Sequence, residues 1–165
     1  MLSTCFPPLA RSDARILILG SLPGQMSLQL GQYYAKPQNA FWRIMAATFH
    51  FPPDLPYSER ITRLEDHGIA VWDVCASALR PGSLDSKISQ VVANDFQSFL
   101  PTHKAIRLIC FNGKTAENLY RRNVLPVLSE PFAGIPLRQL PSTSPAHAGM
   151  TFAQKLDPWK SALTV

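Results

Sequence analysis

The sequence predicts an α/β domain in three layers, with a central, mainly parallel four-stranded sheet and helices on both of its faces. Two observations point there. Short, nearly continuous aliphatic runs recur along the chain, as strands buried on both faces require, and helix-length amphipathic segments separate them. A third observation sets the domain count. The 165 residues are 46 % hydrophobic and 10 % aromatic, enough for one core, and no repeat or low-complexity linker divides them, so residues 1–165 are expected to form a single domain.

The first strand is Arg15-Ile16-Leu17-Ile18-Leu19-Gly20, stopped by glycine and followed by the tight turn Ser21-Leu22-Pro23-Gly24, where proline fixes one φ and glycine is free to take a positive one. Asn39 can cap a helix whose Phe41, Trp42, Ile44, Met45 and Phe49 share one broad face, and Pro52-Pro53 end it. Tyr57 to His67 reads as a second amphipathic helix, with Gly68 as the residue after its end. Ile69 to Val74 is the next strand, and a loop with Pro81 and Gly82 follows. Ala93 to Leu100 is expected to be helical, Ala105 to Phe111 a third strand and Gly113 to Arg122 a polar-faced helix. Pro136 to Leu140 is the candidate fourth strand, and the loop Pro141-Ser142-Thr143-Ser144-Pro145 leads to a C-terminal helix that Pro158 should start, kink or interrupt. In such folds ligands gather beyond the carboxyl ends of the strands, which singles out residues 20–39, 111–113 and 141–147.

Sixteen Lys and Arg against eleven Asp and Glu give a formal charge of +5, with a sequence pI near 9.4. That balance suits a polyanionic partner, although a surface of mixed charge gives the same totals. Cys5, Cys75 and Cys110 form no C-x-x-C pair, and the four histidines are scattered, so no metal centre or cofactor is expected and the thiols should be reduced. No basic and apolar leader opens the chain and no run is long enough to span a bilayer, so the expectation is a cytoplasmic monomer without a membrane.

The order Gly20-Ser21-Leu22-Pro23-Gly24, then Gly31-Gln32-Tyr33-Tyr34-Ala35-Lys36-Pro37-Gln38-Asn39-Ala40-Phe41-Trp42, resembles the first active-site motif of the uracil-DNA glycosylase superfamily, and within it the hypoxanthine-DNA (DNA-deoxyinosine) glycosylases. Trp72-Asp73-Val74, Gly82-Ser83-Leu84-Asp85-Ser86, Phe111-Asn112-Gly113 and Leu140 to Ala146 extend the resemblance over nearly the whole chain. It implies a monofunctional glycosylase of base excision repair that acts on double-stranded DNA carrying a deaminated base, with single-stranded DNA as a second form. Many relatives carry Asn or Asp after the serine, but here Leu22 stands there, and an aliphatic side chain cannot orient water. The resemblance therefore moves the catalytic polar group to Asn39. Two residues depart from the pattern. Lys36 stands where histidine is expected, and His147 where relatives often carry a small or amide residue.

The residue types suit that chemistry. A paired base hides its glycosidic bond and must be rotated into a pocket, at a cost of a few kcal/mol that is lower for mispaired, deaminated bases. Tyr34 can replace lost stacking, contributing roughly 1–3 kcal/mol, or be ordinary core. Breaking the bond leaves positive charge on the sugar and negative charge on the base. Asn39 can orient the attacking water through its carbonyl, or simply cap its helix. Asn112 offers a donor and an acceptor to a base edge, or makes a turn with Gly113. The main-chain N–H groups of Gly20, Ser21, Leu22, Pro23 and Gly24 can hold the base, proline excepted, or the loop merely reverses the chain. Ser142, Thr143 and Ser144 can bond phosphate oxygens while Pro145 stiffens the loop; with His147 and Lys36 they form the expected DNA-binding set. Arg80, Lys87, Lys114, Arg121 and Arg122 are further candidate phosphate contacts, and Asp73 and Asp85 are better read as loop caps than as catalytic bases.

Alternatives remain at this level. The substrate can be uracil or a mismatched base, or the protein can bind lesion DNA without cutting it. A serine hydrolase built on Ser21 lacks the Gly-x-Ser-x-Gly turn and a following Asp-then-His pair.

Overall fold

The computed structural model describes residues 2–81, 87–146 and 149–164. The central sheet has four parallel strands in the order β3-β2-β6-β7: β2 is Ile16–Gly20, β3 Ile69–Asp73, β6 Leu108–Asn112 and β7 Leu137–Leu140. Every residue of β2 and β3 is buried. Alternation explains why continuous aliphatic runs were needed. Leu17, Leu19, Ala70, Trp72, Ile109 and Phe111 face one core, together with Phe96, Phe99, Leu119 and Tyr120. Ile16, Ile18, Ile69, Val71 and Cys110 face the other, together with Phe41, Ile44, Met45, Leu64 and Trp159. Helices α2 (Phe41–Phe49), α3 (Tyr57–Asp66) and α6 (Phe152–Leu163) cover this second face, and α4 (Phe96–Phe99) and α5 (Lys114–Asn123) the first. The expected three layers and parallel sheet are present.

Three features depart from the expectations. A second, antiparallel sheet, β1-β4-β5, is built from Leu2–Thr4, Cys75–Leu79 and Ser89–Ala93. Its β5 takes the start of the segment expected to be helical, and only the single turn Phe96–Phe99 forms, capped by Asp95 accepting from the Ser98 N–H at 3.1 Å. The short helix α1, Gln25–Leu30, occupies what reads as loop and ends on Gly31 at φ +66°. Pro158 lies inside α6 without ending it. Burial of Trp159, Ala162 and Leu163 in the turns after the lost hydrogen bond outweighs its cost of about 3 kcal/mol, helped by a Thr151–Gln154 capping box and by the Trp159 indole N–H donating to Pro141 O at 2.8 Å.

Parallel pairing fixes what meets at the carboxyl edge of the sheet. Gly20 lies beside Asp73, and Asn112 beside Leu140. The backbone continues that alignment past the strand ends, with Val74 N–H donating to Gly20 O and Cys75 N–H to Ser21 O. Among the described residues, no helix is long and apolar enough to cross a membrane.

Candidate active site

The loops that leave β2, β6 and β7 enclose a cleft of about 510 Å³. Gly20, Ser21, Leu22, Pro23, Gly24, Tyr34, Lys36, Asn39, Asn112, Ser142, Thr143, Ser144 and Pro145 all line it. The structure thus brings together residues that lie up to 125 positions apart, from Gly20 to Pro145. His147, Asp85 and the rest of 82–86 lie outside the described residues.

One wall is the turn after β2. Gly20 is required there because a Cβ would stand 2.7 Å from Asp73 Oδ1 and 2.9 Å from the Tyr34 hydroxyl oxygen. Tyr34 is held at φ +54°, a conformation that costs a non-glycine residue about 1 kcal/mol or more. Its ring stacks on Phe41 with centroids 4.0 Å apart and planes at 19°, which fixes the tyrosine at the cleft edge. Ser27 Oγ accepts from the Ala35 N–H at 3.1 Å and ties α1 to the same segment. Behind the turn, Arg80 is 4 % exposed and donates to Leu22 O at 3.2 Å and to Pro23 O. Asp73, 3 % exposed, completes this wall, so two buried ionisable side chains border the cleft.

The opposite wall is held by neutral hydrogen bonds. Asn112 Nδ2 donates to Thr143 Oγ1 at 2.9 Å while its Oδ1 accepts from the Thr143 N–H at 2.9 Å, a reciprocal pair that clamps the β7 loop to the end of β6. Each end of that amide keeps one further N–H or lone pair. Gly113, at φ +95°, permits Ser142 to approach, since a Cβ there would lie 3.1 Å from Ser142 Cβ. Ser142 Oγ accepts from the Ser144 N–H and Ser144 Oγ from the Ala146 N–H, both at 3.2 Å, so the serines shape the loop and still have O–H donors. The Ala40 N–H donates to Thr143 O at 3.0 Å and so joins the loop to the segment carrying Asn39.

Asn39 is half-buried in the cleft wall. Its Oδ1 accepts from the Phe41 N–H at 2.9 Å, satisfying one of the free donors at the start of α2. This sets the orientation of the amide and leaves its oxygen a second lone pair. The cap position itself falls to Ala40, which makes no side-chain cap bond, so Asn39 stands one residue before the capping position expected from sequence and bonds the first helical N–H from the cleft wall.

In the sequence Arg80 reads as one of several surface cations, whereas it is buried as a brace behind the turn. No local pattern announces this, because the carbonyls it bonds belong to residues 57 and 58 positions earlier. Lys114 and Thr115, at the start of α5, also line the cleft. Burial pushes the Cys110 thiol up to about 12, in keeping with a packing role in the core.

A parallel sheet whose strand ends support one continuous, mixed polar and apolar cleft defines a class that the comparisons identify. Residues 7–163 match the Uracil DNA glycosylase superfamily, and the chain belongs to it; it is a DNA glycosylase, a hydrolase of N-glycosidic bonds. Among its relatives, a protein of Methanosarcina acetivorans named hypoxanthine DNA glycosylase is 39 % identical over 117 residues, covering 70 % of this chain and 74 % of that one. A protein of the same name from Methanosarcina barkeri is 36 % identical over 110 residues, covering 66 % and 70 %. The fold is similar to a solution NMR structure from Methanosarcina acetivorans, described as a candidate uracil DNA glycosylase, with a TM-score of 0.82 and 33 % identity over 99 % of this chain and 97 % of that one.

Proposed function

We propose that the cleft receives a deaminated base, hypoxanthine foremost, rotated out of a DNA duplex, and that Asn39 orients the water that attacks the sugar. The observation that carries this reading is the placement of Asn39 in the wall shared by the turn after β2, Tyr34 and Asn112. A volume of about 510 Å³ lies within the usual range of roughly 300–1,000 Å³ for small-molecule sites. The names of the two Methanosarcina relatives favour a 6-oxopurine over uracil.

In the proposed reaction the extruded base lies against Tyr34, whose ring Phe41 backs, and is held by main-chain N–H groups of the turn and the remaining donor and acceptor of Asn112. Water bound to the free lone pair of Asn39 Oδ1 adds to C1′ as the bond to the base breaks. The water oxygen bonds to the sugar, the bonding pair leaves with the base, and a proton is lost to solvent. Developing positive charge on the sugar and negative charge on the base meet a cleft bordered by Asp73 and Arg80. The hydroxyls of Ser142 and Ser144, with Lys36, contact the flanking backbone, while Thr143, 1 % exposed, serves the loop through its bonds to Asn112 instead of meeting phosphate as expected from sequence. Lys36 and Lys114 line the cleft, but hydrolysis as proposed uses no covalent amine step.

The test is base release from duplexes and single strands containing hypoxanthine, uracil, xanthine or a thymine mismatch, with the protein purified and no metal added. Hypoxanthine is expected to leave fastest, giving an intact strand with an abasic site. Fastest release of uracil would replace the substrate, binding without release would leave a silent lesion binder, and a borohydride-trapped protein–DNA adduct would overturn the water mechanism.

A further inference from the structure

A second recess of about 200 Å³ lies on the far side of the β7 loop from the first. Thr143 and Pro145 line both, so a single loop separates them. Arg43, from α2, and Lys155, from α6, enter the recess, and among the described residues no carboxylate lines it. Lys155 is only 6 % exposed, and its ammonium group, which has three donors, makes one hydrogen bond to Ser144 O at 3.3 Å. Arg43 lies over the Phe152 ring, 5.3 Å from its centroid, with its guanidinium edge unspent on any ion pair among the described residues. Burial, and then the like charge of Arg43, both hold the Lys155 amine below its ordinary value, so the pair is unfavourable in the protein alone.

Two convergent cations without an acid, in a recess walled by the loop that meets the substrate strand, match one ligand chemistry. We propose that Arg43 and Lys155 together grip a single backbone phosphate of the lesion strand, next to the extruded nucleotide. Arg supplies a planar fork and Lys a point charge, the two usual ways of holding phosphate oxygens. The anion relieves the repulsion between them, and Lys155 transmits the contact to the loop through Ser144 O. The serine hydroxyls on the cleft side and this cation pair behind would then hold the strand on both sides of the loop. This rests on the DNA reading above.

The test uses a duplex with one 2′-fluoroarabino-hypoxanthine nucleotide, whose glycosidic bond resists hydrolysis. Kd is measured for the whole protein between about 50 and 200 mM salt, a range over which phosphate contacts dominate the change. Arg43→Gln is expected to weaken binding about tenfold at the low end and to reduce the slope of log Kd against log salt by roughly 0.9, the value for one phosphate. Lys155→Met should do the same. The double variant should match either one, because both cations meet one phosphate. Lys104→Gln, the same loss of charge at an exposed position before β6, is the control. A neutral methylphosphonate, walked along the lesion strand, should weaken the natural protein at one position where Arg43→Gln is indifferent. A slope for Arg43→Gln equal to that of Lys104→Gln would overturn the site, as would additive slopes in the double variant. Arg43 is exposed, so its result stands even if Lys155→Met folds poorly. Failure here leaves base release by the natural protein intact, whereas failure of the glycosylase substrate leaves the salt slopes readable.

Discussion

The two walls of the cleft are built on different physics. The turn after β2 is braced by Arg80 and borders on Asp73, both almost wholly buried, while the β7 loop is fastened by the reciprocal amide–hydroxyl pair of Asn112 and Thr143 and by the Ala40–Thr143 backbone bond. Hydrogen bonds to a buried charge are worth about 1.5–3 kcal/mol each and neutral ones about 1. The first wall is therefore the more strongly held one. The second can tolerate loss of a single bond, and the Ala40–Thr143 backbone bond ties it to the segment that carries Asn39. Two sides of one cleft thus differ in how much stability a single lost bond removes.

The largest expected effect falls on turnover. Asn39→Ala should slow single-turnover base release by at least about a hundredfold, the scale of a misplaced reactant, while costing only about 1 kcal/mol of stability through the lost bond to the Phe41 N–H. An unchanged rate would remove Asn39 from the reaction. Next comes the more strongly held wall. Arg80→Met fills similar space but leaves the Leu22 and Pro23 carbonyls without their charged donor, and denaturant unfolding should show a loss of about 3 kcal/mol. Thr143→Val, on the other wall, keeps shape and the Thr143 N–H bond to Asn112 but removes the Oγ1 acceptor, at about 1 kcal/mol. Equal costs for Arg80→Met and Thr143→Val would erase the distinction between the walls.

The smallest effect concerns support behind the second wall. Glu117 accepts from Arg121 at 2.8 Å and from Gln139 at 2.7 Å, linking α5 to β7. Burial works to raise its carboxyl, but those bonds win and hold it below the ordinary 4.5. A depressed carboxylate contributes stability above its unfolded value and loses it as pH falls through the folded one. Glu117→Gln should therefore cost a few tenths of a kcal/mol at neutral pH, and the two proteins should converge as acidification takes the carboxyl through its lowered folded value. A gap that persists at low pH would assign the effect to packing.

The central sheet was legible because burial on both faces leaves a signature in every residue of β2 and β3. The small sheet was not. Ser89-Gln90-Val91-Val92-Ala93 alternates weakly, and β1 and β4 meet only through pairings about 75 residues apart. Helix α1 was hidden for another reason: six residues with Met26, Leu28 and Leu30 partly exposed carry no apolar face to read. Of the site, the motif residues were legible from their order, and those among the described residues line one cleft, whereas the candidate cations Lys87, Arg121 and Arg122 do not reach it. Their hydrogen bonding was not. That Asn112 would spend much of its amide on Thr143, and that Arg80 would turn inward, depend on how loops 31 and 58 positions apart meet.

The most direct measurement is a crystal structure of the complex with the hydrolysis-resistant hypoxanthine duplex. The base should lie inside the cleft against Tyr34, with a water within about 3.2 Å of Asn39 Oδ1 on the side facing C1′. A base lodged elsewhere, or an Asn39 amide turned from the sugar with no water between them, would contradict it.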